Sequence, residues 1–132
     1  MRLVPDQDYR EIGRLFAEHF RSIAPRSVRV DVKVLHGGFP YVCPTDLPAY
    51  RAAARAVERT FGRKPLPYYS GGSIPVISVF EKELGVKSIL MGFGLDEDAI
   101  HSPNESYPLA NFYRGIETIV RFYANYTAME TA

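Results

Sequence analysis

Between residues 28 and 34 the chain alternates valine with charge: Val28, Val30, Val32 and Val34 are separated by Arg29, Asp31 and Lys33. Alternation with a period of two predicts a β-strand with one dry face and one wet face. The segment before it has a different period. Asp8, with Glu11 three residues on, makes a capping-box pattern. Tyr9, Ile12, Leu15, Phe16, Phe20 and Ile23 then follow at helical spacing until Pro25, predicting a helix that buries this apolar face. Arg2 to Val4 reads as a short apolar strand, so the pattern up to His36 is β-α-β.

The stretch from His36 to Pro48 holds Gly37, Gly38, Pro40, Pro44 and Pro48 and reads as a crossing between two units. Beyond it, Asp46 is placed to cap a helix with Tyr50, Ala53, Val57 and Phe61 on one face, ending at Gly62. A short strand around Leu66–Tyr69 leads into Gly71-Gly72-Ser73. A helix from about Ile74 to Leu84 accommodates Pro75 in its first turn. Ser88–Phe93 has the unbroken apolar character of a strand inside a parallel sheet. A polar loop, Gly94–Pro108, then precedes a last helix whose apolar face is Phe112, Ile116, Ile119, Val120 and Tyr123. Alternating strands and helices predict an α/β layer structure with right-handed crossovers. The expected division is into two partial domains, residues 1–37 and 38–132.

Composition narrows the function classes. Hydrophobic residues make up 46% of the 132 positions, enough for a packed core and too many for a disordered chain. A formal net charge of +1, with aromatic residues at core spacing rather than interleaved with basic ones, argues against a nucleic-acid-binding surface. The apolar runs are shorter than a membrane span, and nothing at the N-terminus reads as a signal peptide. Cys43 is the single cysteine, which excludes an internal disulfide and a Cys-rich zinc module. The expectation is a soluble, cytoplasmic protein that binds neither membrane nor nucleic acid.

Four places can carry chemistry. Gly71-Gly72-Ser73 lies at a strand-to-helix turn, where close backbone approach, free N–H groups and a hydroxyl suit a carboxylate or phosphate. The same residues also suit a tight turn with Ser73 as an ordinary helix cap, and the Lys-Ser/Thr ending of a nucleotide P-loop is absent. The acidic run 96–105 carries His101, either a metal ligand near carboxylates or part of a solvated loop. Arg2 can clamp a carboxylate through its guanidinium or stand exposed in solvent. His36, before Gly37-Gly38, either touches a ligand or forms the turn. His19 and Cys43 have no such context and read as a solvated imidazole and an inert thiol.

Taken in order, Arg2-Leu3-Val4-Pro5-Asp6, His36-Gly37-Gly38-Phe39-Pro40, Gly71-Gly72-Ser73-Ile74-Pro75-Val76 and His101-Ser102-Pro103-Asn104-Glu105 are more specific than any block alone. Together they resemble the C-terminal portion of the carnosinase-like dipeptidases. These belong to the dinuclear zinc exopeptidases that also include glutamate carboxypeptidase, aminoacylase and acetylornithine deacetylase. The resemblance implies a catalytic α/β domain interrupted by a smaller ferredoxin-like lid that also dimerises. Residues 1–37 would be the last β-α-β of the lid, and 38–132 the C-terminal half of the catalytic domain.

By motif match, the resemblance makes His101 a zinc ligand and Arg2 the lid arginine that grips the substrate carboxylate. Gly72 and Ser73 would hold the same carboxylate, with His36 close by, and Glu105 would support the His101 loop. The substrate would be a peptide or N-acyl amino acid, cleaved beside a free carboxylate, and the enzyme a homodimer. The family uses two metals and a glutamate base, and its His-x-Asp metal motif is missing here: Arg21, Gly38 and Pro103 stand two places after the three histidines. The chain alone is therefore expected to be inactive. Tyr69 and Ser70 stand where the family often has an arginine with its neighbour, which bears on side-chain preference. A free-standing module that binds a small acid or partner chain without catalysis, and a purely structural dimerisation piece, are the alternatives.

Overall fold

Four α-helices carry the regular structure in the computed structural model, which describes residues 1–70 and 74–130: α1 (Tyr9–Ile23), α2 (Pro48–Phe61), α3 (Val76–Leu84) and α4 (Leu109–Glu130). The chain packs as two units, Met1–Val42 with Tyr69–Ser88, and Cys43–Tyr68 with Ile89–Ala132.

In the first unit, α1 begins as its sequence directs. The Asp8 carboxylate accepts a hydrogen bond from the Arg10 N–H at 2.8 Å. Glu11 does not complete the expected reciprocal cap. It pairs with Arg14, which also reaches Glu18 at 2.6 Å, one turn further along the exposed surface. The hydrogen bond from Arg14 holds the Glu11 carboxyl below its ordinary value, and both carboxylates push the guanidinium up. The buried face of α1 is small: Gly13 and Ala17. A β-carbon at Gly13 would sit 3.1 Å from Val34 Cγ2, so the helix lies close on the valine-rich segment. Leu15, Phe16, Phe20 and Ile23, expected in a core, are between 38% and 59% exposed.

Among the described residues no segment pairs as a β-ladder, including 2–4, 28–34, 66–69 and 88–93. A strand exists only through backbone hydrogen bonds to a neighbouring strand, and among the described residues these segments have no such partner strand. At Ser88 a side chain takes the place of a neighbouring strand. The Tyr41 hydroxyl donates to the Ser88 carbonyl at 2.8 Å and accepts from its N–H at 3.0 Å. The α3 helix starts at Val76, two residues later than the spacing predicts. Its end is at Gly85, whose φ of 66° is the left-handed conformation that glycine takes freely.

The second unit is built on α2 against α4. Pro48 occupies the first turn of α2, and Leu47, not Asp46, is the N-cap residue. Asp46 contributes its carbonyl instead, accepting from Arg51 Nη1 at 2.6 Å. Gly62, at φ 72°, closes the helix through its N–H to the Glu58 carbonyl. The α2 face is alanine: Ala52, Ala53 and Ala56 are all but inaccessible. On α4 the buried positions are Asn111, Gly115 and Thr118, spaced four and three apart, and Asn125 continues the stripe by donating to the Ala52 carbonyl at 3.0 Å. Small side chains on both helices bring the backbones together. The expected apolar face of α4 is on the outside: Phe112, Ile116, Ile119, Val120 and Tyr123 are 36% to 65% exposed.

Gly115 is small because Phe93 lies on it. A β-carbon there would meet Phe93 Cδ2 at 3.1 Å. The Phe93 ring is stacked on Phe61 with centres 6.0 Å apart, and its carbonyl accepts from Asn111 Nδ2 at 3.1 Å. Replacing Gly115 with valine forces this ring aside and is expected to cost about 2 kcal/mol. Urea denaturation of the variant against the parent reads that loss.

Candidate functional site

Phe93 is also where the His101 loop starts, so the α2–α4 packing determines where the loop leaves the unit. The loop is then tied at both ends by one acid. Asp98, only 2% exposed, closes the short 3₁₀ turn Asp96–Asp98. Its carboxylate accepts from the Leu95 N–H at 2.7 Å, and its carbonyl accepts from the Ser106 N–H at 3.0 Å. Asp96 and Glu97 are exposed. Nothing in the acidic run distinguishes the third acid from the first two, and sequence reasoning did not single out Asp98.

Between these ties the backbone turns sharply. Ala99, His101 and Asn104 have φ values of 53°, 65° and 62°, in a region where side chains with a β-carbon are disfavoured by about 1 kcal/mol or more each. Two successive turns, Ser102 N–H to the Ala99 carbonyl at 2.8 Å and Glu105 N–H to the Ser102 carbonyl at 3.3 Å, carry His101 at the tip. The His101 backbone N–H approaches the Glu105 carboxylate at 3.4 Å, a long contact. The imidazole of His101 is exposed. Strain held at a histidine by an otherwise tied loop is the form in which backbone energy is commonly stored at working sites.

The remaining candidates lie elsewhere in the chain. Arg2 and His36 belong to the first unit and are exposed, whereas His101 and Glu105 belong to the second. Gly72 and Ser73 fall outside the described residues. Among the described residues no three His, Cys, Asp or Glu side chains come together as a set able to hold a metal ion. Within the described residues His101 is at most one member of such a set. No helix of the described residues is long and apolar enough to cross a membrane.

Comparison with known proteins bears on what this loop serves. The profile of peptidase family M20/M25/M40 matches residues 6–125. The chain belongs to this family. Among M20 relatives, the Cys-Gly metallodipeptidase DUG1 of Candida albicans is 32% identical over 124 residues, covering 90% of this chain and 25% of the relative. The human Beta-Ala-His dipeptidase is 25% identical over 126 residues, covering 93% of this chain and 25% of its own length. The solved structure of the dipeptidase Dug1p from Saccharomyces cerevisiae superposes with a TM-score of 0.84 at 27% identity, covering 96% of this chain and 27% of that one. The chain thus spans about a quarter of the length of the M20 relatives it matches.

Removing the Asp98 carboxylate tests whether one residue holds the loop. In Asp98→Ala the Leu95 and Ser106 amides are expected to lose hydrogen-exchange protection together, while amides in the middle of α2 keep theirs. Protection lost at Leu95 alone would show that the two ends are held separately.

Proposed function

We propose that this chain is the C-terminal part of a zinc-dependent M20 metallopeptidase of the dipeptidase or amidohydrolase type. The substrate is a peptide or N-acyl amino acid cleaved beside a free carboxylate. The observation that carries this reading is the fold match over nearly the whole chain to a section of a dipeptidase, together with identity spread across the same span. The exposed apolar faces support it. Residues 1–37 are assigned to a lid, where segment 28–34 becomes a strand, and 38–132 to the catalytic α/β domain, where segment 88–93 becomes one, each beside partners from the rest of the enzyme.

In this reading Arg2 and Ser73, with the backbone at Gly72, hold the substrate carboxylate through charge-assisted hydrogen bonds. His36 stands beside them. His101 gives its imidazole to a two-zinc centre whose other ligands and general base lie outside this chain, and Glu105 restrains the turn that presents it. The chain by itself hydrolyses nothing. The complete enzyme is a homodimer through the lid, and the unpaired Cys43 fits a cytoplasmic location.

The test is His101→Ala in the protein as its host makes it, with Cys-Gly as substrate. Loss of a residue that merely supports a metal ligand costs 10- to 100-fold, so removing the ligand is expected to lower hydrolysis by more than about a hundredfold and to reduce bound zinc. Unchanged hydrolysis and zinc content would overturn the assignment. A native protein that binds amino acids with no dependence on zinc would point to the non-catalytic module instead.

A further inference from the structure

The segment that carries His36 is gripped from two sides, with no space for a side chain at either of its glycines. At Gly37 a β-carbon would fall 2.8 Å from Cγ and Cε2 of Tyr9 and closer still to Cδ2. At Gly38 it would fall 2.9 Å from the Pro75 Cβ and 3.1 Å from its Cα. Neither glycine has a positive φ, which among the described glycines belongs to Gly62 and Gly85. What is used here is the absence of a side chain, so that other groups can reach the backbone.

Both gripping residues are themselves held. The Tyr9 ring meets Phe39 edge-on, centres 5.2 Å apart at 76°, and the Arg10 guanidinium lies 5.4 Å from the centre of each ring. Arg10 in turn lies 3.7 Å from the Asp8 carboxylate that caps α1. Pro75, with φ fixed near −57°, is the N-cap residue of α3. The first residue of α1 and the residue before α3 thus meet on two consecutive glycines, directly after His36, all within the first unit.

Resting on the function proposed above, we propose that Tyr9 and Pro75 are positioning residues that hold the Gly37–Gly38 backbone so that His36 keeps one place relative to the start of α3. The grip on the substrate's carboxylate end depends on this clasp. Misplacement of a binding group by about 1 Å is enough to weaken its interaction severely, and a methyl group at Gly37 displaces the segment by that order.

The test is a double-mutant cycle on the protein as its host makes it, with Cys-Gly as substrate and thermal stability measured alongside. Gly37→Ala is expected to raise KM about twentyfold, with kcat within about twofold, because the clasp acts on substrate holding. Tyr9→Ala, which only removes atoms, loosens the clasp and is expected to raise KM about three- to fivefold. In the double variant the new methyl occupies the space left by the ring, so KM is expected to match Tyr9→Ala alone. Effects of the two changes that multiply would overturn the clasp, as would a fall in stability with KM unmoved. If Gly37→Ala does not fold, Tyr9→Ala decides: an unchanged KM overturns the proposal. His36→Ala separates the two levels of the argument. A KM unaffected by His36→Ala defeats the site reading and the clasp with it. A raised KM there, with Tyr9→Ala silent, defeats the clasp alone.

Discussion

The seat of Phe93 on Gly115 is the contact on which the second unit depends. A ring can lie there only because α4 has no side chain at that position, and Phe61 from the end of α2 closes over it. Asn111 then takes the Phe93 carbonyl, which fixes where the backbone leaves the helix pair. From that point Asp98 governs the loop, satisfying one amide at its start and another near its end. The position of His101 follows from helix packing through a ring, a carbonyl and a buried carboxylate. The energy that pays for three left-handed non-glycine residues comes from those ties rather than from the loop itself.

Packing through small residues has a second consequence. Alanine and glycine faces let helices approach closely but bury little apolar area, and the buried apolar residues among those described are four alanines, Ala17, Ala52, Ala53 and Ala56. The large side chains point the other way. Phe16 and Phe20 on α1, and Ile116, Val120 and Tyr123 on α4, are exposed instead. Within the proposed M20 enzyme these exposed faces have an occupant, since the chain matches about a quarter of its relatives' length. The same argument accounts for the alternating valines of residues 28–34, which are patterned for a sheet yet have no ladder partner among the described residues.

How much of this was legible in the sequence depends on the range of each interaction. Helix ends are local, and Asp8 and Gly62 marked them correctly through a side-chain acceptor and a left-handed glycine. Asp46 failed as a cap because Pro48 set the first turn one residue later. Periodicity found the apolar face of α4 but could not say that the opposite stripe, Asn111, Gly115 and Thr118, would be the one in contact. That outcome rests on the matching alanines some sixty residues earlier. In the loop, the His-Ser-Pro-Asn-Glu block pointed to the family. The burial of Asp98 among three consecutive acids was invisible, because only the three-dimensional course of residues 93–107 selects it.

The central claim is that this chain is a section of a larger M20 peptidase, and the intact mass of the protein made by its native host tests it most directly. An antibody raised to the chain, followed by mass spectrometry, should recover a species several-fold heavier than 14.9 kDa. A monodisperse native protein of 14.9 kDa, stable as a monomer with its apolar faces in water, would contradict the account.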